Sequence, residues 1–199
     1  MNWLKLAAPA LAALLLAAPG GAQSGGFDGQ KFVQAVRDRD GNEATELLEA
    51  RGPAVANARD EKGETALIVA ISRRDDLWTG FLLNKGADPN LAARNGETPL
   101  IAAARVGYSG AVAELVTLGA KVDVSNRMGE TPLIVAVQNR HAAIAEALLE
   151  LGADPDKADS AAGYSARDYA KRDTRTRELL KLIEAADAKR RAAAKPKIG

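Results

Sequence analysis

Two kinds of apolar block alternate through the middle of this chain, with charged and turn-forming residues between them. The first kind opens Gly63-Glu64-Thr65-Ala66-Leu67-Ile68, Gly96-Glu97-Thr98-Pro99-Leu100-Ile101 and Gly129-Glu130-Thr131-Pro132-Leu133-Ile134. The second is centred on Leu82-Leu83, Leu115-Val116 and Leu148-Leu149. Both recur every 33 residues, as do the turn residues Asn57, Asn90, Asp123 and, one period on, Asp156. Each block predicts a helix. Thr65, Thr98 and Thr131 stand where a side-chain oxygen caps the free N–H groups of the first helix. Pro99 and Pro132 follow at the position where a missing N–H costs nothing. Small Ala70, Ala103 and Ala136 allow close helix pairing, and the glycines at 86, 119 and 152 end the second helices in a left-handed turn. A fixed period of this size marks a solenoid, whose units bury apolar faces only against their neighbours.

The ends of the array differ from its middle. Phe32, Ala35 and Val36, then Leu47-Leu48, form a degenerate first unit with Arg37, Asp38, Arg39 and Asp40 between its helices. Gly163-Tyr164-Ser165-Ala166-Arg167 repeats the opening with Arg167 where Leu133 stood, followed by Leu179, Leu180, Leu182 and Ile183 at helical spacing. Terminal units need a polar outer face, so both read as caps. The expected division is an N-terminal cap over 23–59, three full units over 60–158, a C-terminal cap over 159–188 and a basic, disordered tail over 189–199. The first hairpin is two residues longer than the next, and the last has one extra residue before Gly163.

From about Phe27 to Asp187 the units resemble ankyrin repeats. The resemblance rests on Thr98-Pro99-Leu100, Ala102-Ala103-Ala104 with Gly107-Tyr108, Thr131-Pro132-Leu133, Arg140-His141, Leu148-Leu149 and Gly152-Ala153-Asp154. It implies an all-α solenoid of helix–turn–helix units with β-hairpin-like fingers, and a function in protein recognition. Where that family favours His after Thr-Pro-Leu, this chain has Ile68, Ile101 and Ile134, so apolar packing replaces a buried polar link. Ala93 stands where the other hairpins carry Asp60, Asn126 and Asp159, and so removes one side-chain acceptor.

Residues 1–22 have a different character. Lys5 precedes an apolar stretch running through Ala18, and small Gly20 and Ala22 fit signal-peptidase cleavage before Gln23. Pro9 interrupts the stretch, which is short for a spanning helix; a retained anchor is the rival reading. No cysteine follows to accept lipid. Export to a bacterial periplasm, or secretion, is the expected location, and the absence of cysteine suits an oxidising compartment.

The whole chain carries a formal net charge of +1, and removal of Lys5 with the leader brings it to zero. The distribution is uneven: from Lys171 onward ten basic residues outnumber four acidic ones. Such asymmetry marks either an interaction tail with weak affinity for a membrane surface or a solvated capping helix. Catalytic chemistry finds no footing. His141 is the sole histidine, there is no cysteine, and neither a Gly-x-Ser-x-Gly elbow nor a phosphate-binding glycine loop is present. Asp75-Asp76 precede a helix, where carboxylates favour the dipole, while Asp88 and Asp154 shape turns. No cofactor or metal is expected. Scarce aromatics and an acidic body argue against nucleic acid.

The resemblance places a partner along the concave face of hairpin tips and first helices. The matching positions are Glu61, Lys62, Glu64, Ser72 and Arg73; then Arg94, Asn95, Glu97, Arg105 and Val106; then Arg127, Met128, Glu130, Gln138 and Asn139. Glu64, Glu97 and Glu130 form an acidic ladder beside basic Lys62, Arg94 and Arg127, which serves either a partner or ion pairs between repeats. The expected function is an exported, monomeric adaptor or inhibitor binding one envelope protein. The alternative is an assembly spacer whose basic tail meets an anionic surface.

Overall fold

The computed structural model describes residues 24–194. The leader expected over 1–22 lies outside the described residues. Five helix pairs follow one another: α1 (Ser24–Asp38) with α2 (Gly41–Arg51), α3 (Ala66–Ser72) with α4 (Asp76–Asn84), α5 (Pro99–Val106) with α6 (Ser109–Thr117), α7 (Pro132–Gln138) with α8 (Ala142–Glu150), and α9 (Ala166–Arg172) with α10 (Arg177–Ala194). The first helices α1, α3, α5, α7 and α9 pack side by side, and α4, α6, α8 and α10 form a second layer behind them. The two extra residues of the first hairpin are accommodated by a 3-10 turn over Pro53–Asn57.

The caps expected from sequence form. Thr65, Thr98 and Thr131 accept the amides of Ile68, Ile101 and Ile134 at 3.2–3.3 Å. In the last unit Ser165 and Asp168 cap each other's backbone reciprocally. The isoleucines after Thr-x-Leu are buried, so the polar link is indeed replaced by packing. Leu82, Leu115 and Leu148 are fully buried between the layers.

Repeats are also tied by side chains to the backbone of the next unit. Asn57 donates to the carbonyl of Gly86 and accepts from the amide of Asp88; Asn90 does the same with Gly119 and Lys121. Asp123 can only accept, and takes the amide of Asp154. This explains why these turn positions keep the period. In the inter-helix turns Arg39, Arg74 and Arg140 adopt φ of 55–60°, a region costly for a side-chain-bearing residue. Each reaches the following unit, Arg39 to Asp75, Arg74 to the carbonyl of Gly107 and Arg140 to Asp173.

Two expectations need correction. Residues 189–194, expected in a disordered tail, are the last turns of α10; alanine-rich sequence favours helix, and Arg190 anchors it by donating to the carbonyl of Ala153 at 3.0 Å. Arg167 does not simply face outward as a cap residue. Its guanidinium ties the preceding loop to α10 through Asp156 at 2.6 Å and Asp187 at 2.7 Å.

Candidate protein-binding surface

Four fingers, at 60–64, 93–97, 126–130 and 159–164, are each closed by a backbone hydrogen bond between their ends: Asp60 to Glu64, Ala93 to Glu97, Asn126 to Glu130 and Asp159 to Tyr164. They are turns rather than strands; isolated antiparallel bridges occur only at Arg59 with Thr65 and Ala158 with Ser165 among the described residues. Side-chain oxygens shape three tips from the first position: Asp60 accepts from Glu64, Asn126 from Met128 and Glu130, Asp159 from Ala162 and Gly163. Ala93 cannot do this. Asn95, two residues on, accepts the amide of Glu97 at 3.0 Å in its place.

Successive fingers touch through their backbones. The amide of Arg94 donates to the carbonyl of Gly63 at 2.9 Å, Arg127 to Asn95 at 3.2 Å and Ser160 to Met128 at 2.9 Å. Gly63, Gly96 and Gly129 in the first three tips allow this approach. A Cβ on Gly96 would sit 2.8 Å from the amide nitrogen of Arg127, and φ there is +82°. The glycine of the Gly-Glu-Thr repeat carries this signal.

The structure divides the expected site residues into two sets. Glu64 and Asp60 both accept from Arg37 of α1 at 2.5 Å, and Arg73 donates to the carbonyl of Arg37. Burial pushes the Asp60 carboxyl up, but the Glu64 amide and the Arg37 guanidinium outweigh it and hold the group below the ordinary carboxylate value. Glu97 accepts from Arg105 at 2.9 Å, which places the end of α5 beside the second finger. Glu130 accepts from Asn126 at 2.7 Å, and Asn139 turns back to the carbonyl of Val135. The acidic ladder therefore faces inward to partners within the chain. Glu61, Lys62, Arg94, Arg127, Met128 and Gln138 are exposed. Among the described residues no ion pair engages Arg94 or Arg127, and Met128 is 51% exposed. Asn95 is exposed too, held to Glu97. Ser72 is exposed and Val106 half-buried at the ends of their helices.

Two surfaces escaped the sequence reading. A cleft of about 380 Å³ separates α1 from the first finger, lined by Phe27, Gln30, Gln34, Arg37, Glu61 and Lys62. Phe27 is 59% exposed beneath the Lys31 ammonium. On the outer layer Leu77 is 86% exposed beside Trp78 and Phe81, where α2 diverges from α4. The only sequence signal for it was an apolar residue at a position that α4 does not bury.

No curated protein matches the sequence significantly. The family profile for Ankyrin repeats (3 copies) matches residues 32–126 and 76–159, together more than half the chain. Its span begins in the N-terminal cap and ends at the last finger, covering the helix pairs and tips that the geometry shows to be equivalent. By profile and by architecture alike, the chain belongs to the ankyrin-repeat family.

Proposed function

We propose that this protein is a non-enzymatic adaptor or inhibitor that binds an envelope protein through its finger face after export. The observation that carries the reading is the stack of exposed tips with Arg94 and Arg127 free of internal ion pairs. Backbone hydrogen bonds hold the tips, so little conformational freedom is lost on binding. Arginine and methionine are enriched at interfaces, whereas the paired Arg105 and Arg73 serve the fold. A photoreactive residue at Met128 should give a protein adduct in intact cells, and one at Ala113, exposed on α6 in the outer layer, should not. Adducts from Ala113 alone would move the interface to the other layer.

Export rests on Lys5, the apolar stretch and the small residues before Gln23. No helix of the described residues is long and apolar enough to cross a membrane. An intact mass beginning at Gln23 or within a few residues supports export; retention of Met1 to Ala22 in the envelope fraction contradicts cleavage.

A second reading, a spacer contacting an anionic surface, has one observation in its favour: Lys189 and Arg191 are exposed near the end of α10. Truncation after Asp187 would not isolate it, since Arg190 holds the Ala153 carbonyl and the groove between α8 and α10 would open. Lys189→Gln with Arg191→Gln is the cleaner variant. Loss of binding to anionic vesicles with partner capture unchanged would support this role.

A further inference from the structure

The stacked tips have a charge pattern and a pitch, and together these specify a ligand more narrowly than "a protein". The equivalent first tip positions are Glu61, Arg94, Arg127 and Ser160. Arg94 and Arg127 are the two cations in strict register, one period apart on fingers joined by backbone hydrogen bonds. Both are exposed, and the glutamates nearest in sequence are occupied, Glu97 by Arg105 and Glu130 by Asn126. At the first finger Glu61 and Lys62 stand together, so that tip is neutral in sum. Met128 adds an exposed apolar side chain next to Arg127.

Neighbouring helices in a stack lie roughly 8–10 Å apart, which sets the distance from one tip to the next. A polyproline II segment has three residues per turn at about 3.1 Å each, and so returns a side chain to the same face every ~9 Å. A β-strand returns one every ~7 Å and an α-helix every ~5 Å, so in neither do successive same-face residues meet successive tips. Arginine also prefers carboxylate, with which its planar donors pair two at a time.

Resting on the proposed finger-face reading, we infer that the ligand is an extended acidic segment of a protein, with two carboxylates three residues apart and an apolar residue beside one of them. Arg94 takes one carboxylate, Arg127 the other, and Met128 covers the apolar side chain.

The test uses fluorescent 12-residue peptides with blocked ends and one leucine, carrying two aspartates two, three or four residues apart in a Ser/Pro background. Anisotropy with the whole protein should give the three-residue spacing at least fivefold tighter binding than the other two. Raising the salt should weaken it, and Arg94→Glu with Arg127→Glu should abolish it while circular dichroism stays unchanged. Equal affinity at all spacings, or binding that survives the double reversal, overturns the inference. If it fails while Met128 still crosslinks to a protein in cells, the finger-face reading stands and only the ligand class is wrong. If Met128 yields no adduct either, both fall.

Discussion

Tyr108 shows how one residue records its packing. It sits just before α6, buried, with its hydroxyl donating to Asp76 at the start of α4. Burial and then the bond to Asp76 push its phenol up to about 12 from an ordinary value of 10. A raised folded value means that the neutral phenol is favoured in the native state. The stabilisation is therefore complete below pH ~10, the unfolded value, and is lost as pH rises towards about 12. Ultraviolet titration should show a phase at about 12 that Tyr108→Phe removes, while Tyr169, whose phenol is raised by its bond to Asp159 and by burial, keeps its own delay. A late phase that Tyr108→Phe leaves unchanged would mean that the contact with Asp76 is absent. In the sequence Tyr108 stands out only beside Gly107, among the residues that carry the family resemblance. Its link to Asp76 joins neighbouring repeats, a contact that periodicity alone does not display.

At the scale of the helix pair, sequence and structure agree closely, because each element is specified by local chemistry. A threonine cap, a proline at the first helical position and a buried leucine in the second helix set both boundaries and register. Thr98→Ala or Thr131→Ala should cost about 1 kcal/mol each through loss of the bond to the amide of Ile101 or Ile134. Leu115→Ala or Leu148→Ala should cost roughly 2–5 kcal/mol, since each is fully buried between layers and leaves a cavity. Denaturant unfolding measures both, and leucine losses as small as those of exposed residues would mean the register is wrong. The fingers were harder to read. In sequence the acidic ladder of Glu64, Glu97 and Glu130 is open either to a partner or to ion pairs between repeats; its partners are Arg37 of the preceding unit and, within their own units, Arg105 and Asn126. Which residue each glutamate takes depends on side-chain reach, across repeats for Glu64 and within the unit for Glu97 and Glu130, and the linear sequence does not encode that directly.

For the whole molecule, the repeat sets the architecture and the ends break it. Arg167 replaces an apolar repeat position and becomes a tie between the last loop and α10. The C-terminal basic residues, expected as tail, partly belong to the closing helix. Of the exposed finger-face residues without an ion pair among the described residues, Glu61 and Lys62 offset each other, and what stands in register is two arginines with a methionine beside one of them. These residues, and not the charged face as a whole, are expected to hold the partner. Once crosslinking has supplied that partner, its affinity for Arg94→Ala with Arg127→Ala tests the claim most directly. Binding should weaken at least tenfold, about 1.4 kcal/mol, with no change in melting temperature because both side chains are exposed. Unchanged affinity, or a loss of affinity accompanied by a large drop in melting temperature, would contradict it.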